Sequence, residues 1–337
     1  IFIIDGYALL YRSHFALIRN PLVTSYGLDT SALFGFINQI LKLIKKEKPD
    51  FLVCAFDSKG KNFRHEMYDL YKANRPEMPF ELQNQLSHLW ESLDALNIPI
   101  IKKKGFEADD IIGTLVTEAE KYGLLSYIVS GDKDFMQLIN DKVFLYAPGN
   151  RRSPDPIIYD AKKVEERWGV SPQNIIDLLG LMGDSSDNVP GVSGIGEKTA
   201  VKLIKEYGSL EGALANAESV KNKRAQNGLK KGSENATLSK KLVTILTDIN
   251  LEISVLDCEK NNININECKK KFSELEFHAI LKQLKNWEEA SYSTKERNLK
   301  KEYNIILNNN DLNQMIDILY DSDLIAFNLE ATSTVPM

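Results

Sequence analysis

The chain has 337 residues, of which 43% are hydrophobic and 26% are charged, a composition ordinary for a soluble globular protein and long enough for two domains. No apolar run approaches the length needed to span a bilayer, so we expect a cytoplasmic protein with no membrane partner. Three scattered cysteines and four histidines exclude a disulfide framework and a zinc site of familiar spacing, so a metal site here would use oxygen ligands. The net charge of -5 argues only weakly against nucleic acid, because the basic residues are unevenly distributed.

Short apolar runs in the first half of the chain each end in acidic residues, and helical patterns lie between them. This alternation predicts an α/β fold with a parallel sheet, in which the carboxyl ends of the strands share one edge where ligands bind. The predicted strands are 1–4, 51–56 and 127–129, the predicted helices are 30–47, 80–96 and 107–122, and the acids after the strands are Asp5, Asp57, Asp132 and Asp134.

Three carboxylates, Glu107, Asp109 and Asp110, lie at the start of the predicted helix 107–122. For each acid alone, a helix cap or a turn residue is the simpler explanation. Anions packed this closely repel one another unless cations lie between them, however, and the acids after the strands converge on the same edge. We therefore predict a site for two Mg²⁺ or Mn²⁺ ions, which prefer oxygen ligands and clamp the two oxygens of a phosphoryl displacement.

The stretch 58–79 follows Asp57 directly and interleaves basic with aromatic side chains. This pattern suits a grip on a single strand through phosphate contacts and base stacking, although an exposed loop is the alternative. The basic residues are Lys59, Lys61, Arg64, Lys72 and Arg75, and the aromatic residues are Phe63, Tyr68 and Tyr71.

Two further acids, Asp184 and Asp187, precede a glycine-rich turn and would complete the outer side of the metal cluster. The turn differs from a P-loop by one residue, because Glu197 stands between Gly196 and Lys198. It favours a helix-hairpin-helix of 172–182 and 197–206, which grips a duplex backbone without reading its sequence. The candidate contacts are Gly191, Gly194, Gly196, Lys198 and Thr199.

The stretch 221–241 is strongly basic and includes Lys230 and Lys231, which indicates a further phosphate contact, with a solvated loop as the alternative. Residues 286–302 are polar and charged, and we expect a linker there. The pattern of residues 303–337 predicts a strand, a helix and a second strand.

Taken together, these motifs resemble the 5′-nuclease domains of bacterial DNA polymerase I, which are members of the flap endonuclease family. The resemblance covers residues 1 to about 285. Its motifs are Ile-Asp-Gly with Tyr11-Arg12, Phe-Asp at 56–57, Phe-Arg with Tyr71-Lys72 and Arg75, Glu-Ala-Asp-Asp, Gly-Asp-Lys-Asp, and Gly-Asp-Ser-Ser-Asp-Asn before the glycine turn.

The resemblance implies a PIN-like nuclease domain over 1–170 with a helical arch at about 59–83, and a helix-hairpin-helix (H3TH) DNA-binding region over 171–285. Such proteins cut a 5′ single strand near its junction with duplex. The implied metal ligands are Asp5, Asp57, Glu107, Asp109, Asp110, Asp132, Asp134, Asp184 and Asp187. The implied catalytic cations are Lys72, Arg75 and Arg12, and the implied DNA contacts are Arg64, Tyr71, Gly191, Gly194, Gly196, Lys198, Thr199, Lys230 and Lys231.

The implied partners are DNA with a 5′ flap or a junction of single strand and duplex, and RNA primer–DNA hybrids, with K⁺ at the glycine turn. Residues 325–330 also resemble the opening of an RNase H-like 3′→5′ exonuclease domain, but Asn328 replaces the Asp of its Asp-x-Glu pair. We therefore expect a truncated, degenerate domain with no proofreading and no polymerisation.

The leading hypothesis is a structure-selective 5′ nuclease, a 5′→3′ exonuclease and flap endonuclease acting in primer removal and DNA repair. A non-catalytic DNA-junction binding module is the alternative, although it would have no use for nine acids. A small-molecule phosphohydrolase would share the acids but would need no hairpin or basic arch.

Overall fold

The computed structural model describes residues 1–149, 153–286 and 306–320. Residues 1–284 form one compact unit, and a second unit begins at Lys285 and contains the described helix Asn309–Tyr320. The predicted linker, apart from residue 286, and the motif at 325–330 lie outside the described residues. No helix of the described part is long and apolar enough to cross a bilayer.

A six-stranded sheet forms the centre of the compact unit. Its strands in chain order are β1 (Phe2–Asp5), β2 (Leu52–Ala55), β3 (Ile100–Ile101), β4 (Ser126–Val129), β5 (Val143–Ala147) and β6 (Ile157–Tyr159).

The strands are arranged in the order β3-β2-β1-β4-β5-β6. All neighbouring strands pair in parallel except β5 and β6, which pair antiparallel at one edge. All residues of β1 and β2 are buried, which explains their uninterrupted apolar sequences. The prediction of an α/β fold with a largely parallel sheet is therefore confirmed. The three predicted strands correspond to β1, β2 and β4, whereas β3, with two residues, is too short to produce a recognisable pattern.

Helices flank the sheet in the first half of the chain. They are α1 (Gly6–Leu17), α2 (Ser31–Glu47), α3 (Phe63–Met67), α4 (Phe80–Gln83), α5 (Leu86–Ala95) and α6 (Ala108–Lys121).

One predicted helix, at 80–96, is two helices instead. The chain turns at Gln85, whose buried side-chain amide donates to the Glu81 carbonyl over 2.9 Å and accepts from the Leu33 amide over 3.0 Å. The prediction at 107–122 corresponds closely to α6, which buries its apolar face, including Ile111 and Leu115, in the core. Since α6 begins directly after Glu107, the acids of its first turn are presented at the edge where the parallel strands end.

The second half of the compact unit is helical. Its helices are α7 (Ala161–Trp168), α8 (Ile175–Met182), α9 (Glu197–Tyr207), α10 (Leu210–Ala215), α11 (Lys223–Lys231), α12 (Ser233–Val243) and α13 (Ile265–Glu274), and residues 278–286 are also helical. The glycine turn connects α8 to α9, as the helix-hairpin-helix prediction required. One hydrophobic cluster runs from the sheet into these helices, so the two halves share a core.

Candidate active site

Asp5 ends β1 and also caps α1. One carboxylate oxygen accepts from the Ala8 amide over 3.2 Å, and the other accepts from the Ser130 hydroxyl over 2.8 Å. Burial raises the pKa of Asp5 to about 7, and the neighbouring Asp132 and Asp57 contribute to that rise. Asp5 is therefore an acid held at the sheet edge among other acids.

Asp57 and Asp109 flank the start of α6. Asp57 accepts from the amide of Ala108, the first residue of α6, over 2.8 Å. Burial raises the pKa of Asp57 and raises that of Asp109 well above its ordinary value, and Glu107 adds repulsion to both. Asp5 also raises the pKa of Asp109, so β1, β2 and α6 deliver their acids to one place.

Asp132 and Asp134 lie in the turn after β4. An oxygen of Asp132 accepts from the Asp134 amide over 2.9 Å, which fixes the turn. Burial, together with the charges of Asp132, Asp184 and Asp187, raises the pKa of Asp134 to about 8. The Oδ1 atom of Asp134 is buried and accepts no hydrogen bond, a costly state for a carboxylate oxygen that a cation would relieve.

Basic side chains form ion pairs with the outer acids of this cluster, Glu107, Asp184 and Asp187. The Lys72 ammonium is 2.6 Å from an oxygen of Glu107, Arg75 pairs with Asp187, and Lys133 pairs with Asp184. Burial opposes ionisation of Glu107 and Asp184, but these cations outweigh burial and hold the pKa of each below its ordinary value.

Lys72 has a left-handed backbone with φ of +55°, a conformation that is uncommon for a residue with a side chain. Its amide donates to the Asp187 carbonyl over 2.9 Å. Strain at a residue whose ammonium lies among acids is consistent with a functional role for that ammonium.

Arg12 projects from α1 into the same cleft, whose volume is about 360 Å³. Its guanidinium donates to the carbonyls of Pro148 and Gly149 over 2.8 and 2.6 Å. The cleft is also lined by Arg75, Asp132, Asp134, Asp184 and Asp187. The three predicted catalytic cations thus lie beside the predicted metal ligands.

Asp110 requires a correction as a metal ligand. Its side chain is fully buried, and its two oxygens accept a bidentate pair of hydrogen bonds from Arg64, each 2.8 Å long. One oxygen also accepts from the Leu246 amide over 3.0 Å. Because its oxygens are already engaged away from solvent by Arg64 and Leu246, Asp110 is not oriented to serve as a metal ligand.

Arg64 and Tyr71 require corrections as DNA contacts. Arg64 is 2% exposed, and besides Asp110 it donates to the carbonyls of Leu242 and Thr244, each over 2.8 Å. Tyr71 is 4% exposed and donates its hydroxyl to Glu107 over 3.1 Å. Neither side chain can reach a phosphate or a base from these positions, so both act inside the protein.

Within the described residues, no three His, Cys, Asp or Glu side chains stand as a group that could hold an ion in the present conformation. The donors nevertheless fit a hard divalent cation, since they are all carboxylate oxygens and they repel one another. The Oδ1 atom of Asp134 accepts no hydrogen bond and has the Lys133 ammonium 3.8 Å away, so it is available to a closer cation. Lys72 and Lys133 supply positive charge to this cleft from the protein itself.

The glycine turn has the backbone that its sequence predicts. Gly191 and Gly194 are left-handed, with φ of +61° and +86°, and a Cβ at Gly191 would overlap the backbone of Gly183. The Gly191 amide donates to Ser239 over 2.8 Å and is therefore not available to a phosphate. Gly196 precedes α9 as its N-cap.

The predicted basic contacts near this turn differ in their surroundings. Lys198 and Lys231 are exposed, and Thr199 is half-buried. Lys230 is exposed but pairs with Glu218 over 2.6 Å. A phosphate would therefore compete with Glu218 for Lys230, whereas the other side chains stay open to it.

Sequence reasoning missed several residues of the site. Ser130 and Asn62 each donate to a predicted acid, Asp5 and Glu107 respectively, over 2.8 Å. Lys133 stood inside the Gly-Asp-Lys-Asp motif, and its position between two acids was a signal that it pairs with a carboxylate. Asn62 carried no comparable signal, because its partner lies 45 residues away.

Comparison with protein families matches both halves of the compact unit. Residues 1–169 match the 5′-3′ exonuclease N-terminal resolvase-like domain, and residues 170–266 match the 5′-3′ exonuclease C-terminal SAM fold. The chain is 39% identical over 284 residues to a 5′-3′ exonuclease of Aquifex aeolicus, covering 84% of this chain and 94% of that protein. It is 40% identical over 283 residues to DNA polymerase I of Bacillus subtilis, covering 84% of this chain but 32% of the polymerase. The chain thus spans about a third of the DNA polymerase I relatives that it matches.

Solved structures share the fold at lower identity. A T5 5′-exonuclease with bound zinc ions superposes with a TM-score of 0.59 at 23% identity, covering 72% of this chain and 88% of that one. The catalytic core of Rad2 in complex with a DNA substrate gives a TM-score of 0.52 at 17% identity, covering 81% of this chain and 87% of that one.

Proposed function

We propose, from the premise that this chain belongs to the 5′-3′ exonuclease family, that it hydrolyses phosphodiester bonds in nucleic acids with a 5′ single strand next to duplex. The observation that carries the proposal is the convergence of acids from β1, β2, β4, α6 and the segment before the glycine turn into one cleft. Asp132, Asp134, Asp184 and Asp187 line one cavity, Ser130 after β4 donates to Asp5, and the first amide of α6 donates to Asp57.

Two divalent ions, Mg²⁺ or Mn²⁺, would supply the Lewis acidity for an in-line phosphoryl displacement in this cleft. Support for metal dependence comes from the donor set and from the T5 structures, which contain divalent metal ions. The residues that would hold the ions are Asp5, Asp57, Glu107, Asp109, Asp132, Asp134, Asp184 and Asp187.

Lys72, Arg75 and Arg12 would neutralise negative charge on the phosphate during cleavage. All three lie at the cleft, and Lys72 and Arg75 are at present paired with Glu107 and Asp187. Metal ions held by Glu107 and Asp187 would release Lys72 and Arg75 to pair with a phosphate.

The glycine turn and the exposed Lys198 and Lys231 would hold the duplex part of the substrate by its backbone, with K⁺ bound at the turn. The substrates proposed are DNA with a 5′ flap, junctions of single strand and duplex, and RNA primers paired to DNA. The activity would remove primers and displaced strands in replication and repair. The T5 flap endonuclease and the Rad2 core, each solved with DNA, support this choice of partner.

The experiment uses a labelled 5′-flap duplex with Mg²⁺ or with EDTA, and compares the parent with Asp109→Asn. Asp109 is chosen over Asp110, since loss of Asp110 would disturb the fold through Arg64. We expect Mg²⁺-dependent release of the flap and a loss of about a hundredfold or more in the variant. Asp94→Asn, which removes an exposed acid on α5, is the matched control and should cut like the parent.

Binding of the flap duplex in EDTA should survive in Asp109→Asn, because that substitution removes negative charge from the cleft. If the parent binds the flap but does not cut it in Mg²⁺ or Mn²⁺, the protein is a junction-binding module and the proposed activity is wrong.

A further inference from the structure

Two segments that lie far apart in the sequence meet at the edge of the acid cleft. One is residues 70–75, after α3, and the other is residues 185–188, which lead into the glycine turn. Three hydrogen bonds cross between them, and we call these three bonds the clasp. In the clasp, the Lys72 amide donates to the Asp187 carbonyl over 2.9 Å, the Asn188 side chain donates to the Leu70 carbonyl over 2.7 Å, and the Asn74 side chain donates to the Ser185 carbonyl over 2.7 Å.

Lys72 occupies the third position of a turn that is closed by a hydrogen bond of 3.1 Å from the Ala73 amide to the Leu70 carbonyl. Its φ of +55° at that position is one for which turns ordinarily use Gly or Asn. A residue with a long side chain persists in such a conformation when its surroundings fix the backbone. The clasp fixes it twice, because Asn188 binds the same Leu70 carbonyl and Asp187 binds the Lys72 amide.

This backbone conformation sets where the Lys72 ammonium lies. The ammonium is 2.6 Å from an oxygen of Glu107 and 3.7 Å from an oxygen of Asp187, and the side chain is 15% exposed. Because rotation about φ swings a side chain relative to the residue before it, an ordinary negative φ would carry the ammonium away from these two acids. The clasp therefore controls the position of a cation that the proposed function uses.

Asn188 is well suited to its place in the clasp. Its own φ is +56°, a left-handed conformation that Asn adopts more readily than most residues with a side chain. The loop that carries it is closed by two backbone hydrogen bonds between Asp184 and Val189, of 3.0 and 2.7 Å. Its side-chain amide is therefore presented to Leu70 from a fixed loop.

We propose that Asn188, assisted by Asn74, is a positioning residue that holds Lys72 at the place where the phosphate is cleaved. The proposal rests on the proposed function, in which Lys72 neutralises charge on that phosphate. It adds that the segment leading into the glycine turn also sets the position of this cation. If the clasp served the fold alone, the effect of breaking it would not depend on the presence of the Lys72 ammonium.

The test measures single-turnover cleavage of the labelled 5′-flap duplex by Asn188→Gly in saturating Mg²⁺. Glycine accepts the left-handed backbone without strain, so the substitution removes the side-chain donor and keeps the turn. Asn97→Gly is the matched control, because Asn97 is also left-handed, with φ of +52°, and also donates to a carbonyl, that of Asn262. It precedes β3 and so lies at the opposite edge of the sheet from the acids.

We expect Asn188→Gly to cut about tenfold more slowly, since one hydrogen bond is lost and a reacting group is displaced. The control should cut like the parent, and the Kd of Asn188→Gly for the flap duplex in EDTA should match that of the parent. In a Lys72→Ala background, Asn188→Gly should have no further effect, because no ammonium remains to be positioned. Asn74→Ala, which does not adjoin a proposed metal ligand, should show a smaller loss with the same dependence on Lys72.

A loss that persists undiminished in the Lys72→Ala background would show that the substitution acts through the fold, and it would overturn the proposal. A higher Mg²⁺ requirement in Asn188→Gly would do the same, because it would place the effect on Asp187 as a metal ligand. An equal loss in Asn97→Gly, or no loss in Asn188→Gly, would also overturn it.

Hydrogen exchange in EDTA tests the clasp without cleavage. The Lys72 amide is protected by its bond to Asp187, so peptides covering 70–75 should exchange faster in Asn188→Gly than in the parent or in Asn97→Gly. A parent that does not cut in Mg²⁺ or Mn²⁺ would refute the proposed function and with it the role given to Lys72. Unchanged exchange in Asn188→Gly, with a parent that cuts, would refute the clasp alone.

Discussion

Asp109 and Asp110 are neighbours in the sequence, yet they belong to regions with opposite electrostatics. Asp109 faces Glu107 and the acids after the strands, and its pKa is raised well above the ordinary value by burial and by their repulsion. Asp110 lies on the other side of α6, where Arg64 binds both of its oxygens. One helix start therefore supplies an acid to a cleft that lacks positive charge and another to a buried pair that is already neutral.

The comparison shows that a count of acids does not give a count of metal ligands. Repulsion among the cleft acids lowers stability but leaves carboxylates available to an incoming cation. The Arg64–Asp110 pair instead holds the first turn of α6 in position. Each of the following predictions tests whether this division between the two regions is correct.

The largest effect on stability is expected for Asp110→Asn. It removes the bidentate partner of the buried Arg64 guanidinium and leaves Glu107, 3.4 Å away, as its remaining carboxylate partner, which should cost about 3 kcal/mol in the free energy of unfolding. Urea unfolding followed by circular dichroism measures this loss. Asp109→Asn should not reduce the free energy of unfolding, because it removes a repelled charge.

A double variant, Arg64→Met with Asp110→Leu, serves as the control for that interpretation. Replacing both members of a buried pair by apolar residues should recover much of the stability that the single change removes. If Asp110→Asn leaves stability unchanged while abolishing cleavage, Asp110 belongs with the cleft acids and the division is wrong.

A smaller effect is expected from pH in the metal-free protein. The pKa values of Asp5 and Asp134 are raised from 3.8 to about 7 and about 8, so the folded state binds more protons than the unfolded state between these limits. Stability is then highest below the unfolded pKa and is lost as pH rises through the folded values. The free energy of unfolding measured in EDTA should therefore decrease as the pH rises from about 5 to about 8.

The double variant Asp5→Asn with Asp134→Asn should flatten this pH dependence, and Mg²⁺ should flatten it in the parent. A parent whose stability in EDTA increases over the same range would show that the cleft acids are not mutually repelled.

The smallest effect is expected for Tyr71→Phe, which removes the hydroxyl that donates to Glu107. Because Lys72 and Asn62 still donate to Glu107, the loss should be about 1 kcal/mol in the free energy of unfolding. Tyr122→Phe, at an exposed tyrosine, is the control and should have no effect. A much larger loss of flap binding than of stability would restore Tyr71 as a DNA contact.

The acids at the ends of the strands were predictable because two local patterns coincide there. An apolar run marks a buried strand, and an acid directly after it marks the sheet edge, so Asp5 and Asp57 needed no knowledge of distant residues. The start of α6 was predictable for the same reason, since its apolar spacing begins directly after Glu107.

The role of Asp110 was not predictable in this way. Its partners Arg64 and Leu246 lie 46 and 136 residues away in the sequence, and the first stands in a stretch that is basic like any nucleic-acid loop.

Arg64 contacts two backbone carbonyls as well as Asp110. Through the carbonyls of Leu242 and Thr244 it fastens the end of α12 to the first turn of α6, so the helices that follow the glycine turn and the acids of the cleft are joined through one guanidinium. Under the proposed function, this connection would fix the distance between the glycine turn that holds the duplex and the cleft that cleaves the strand. Incision should therefore fall at a constant number of nucleotides from the junction, whatever the length of the overhanging strand.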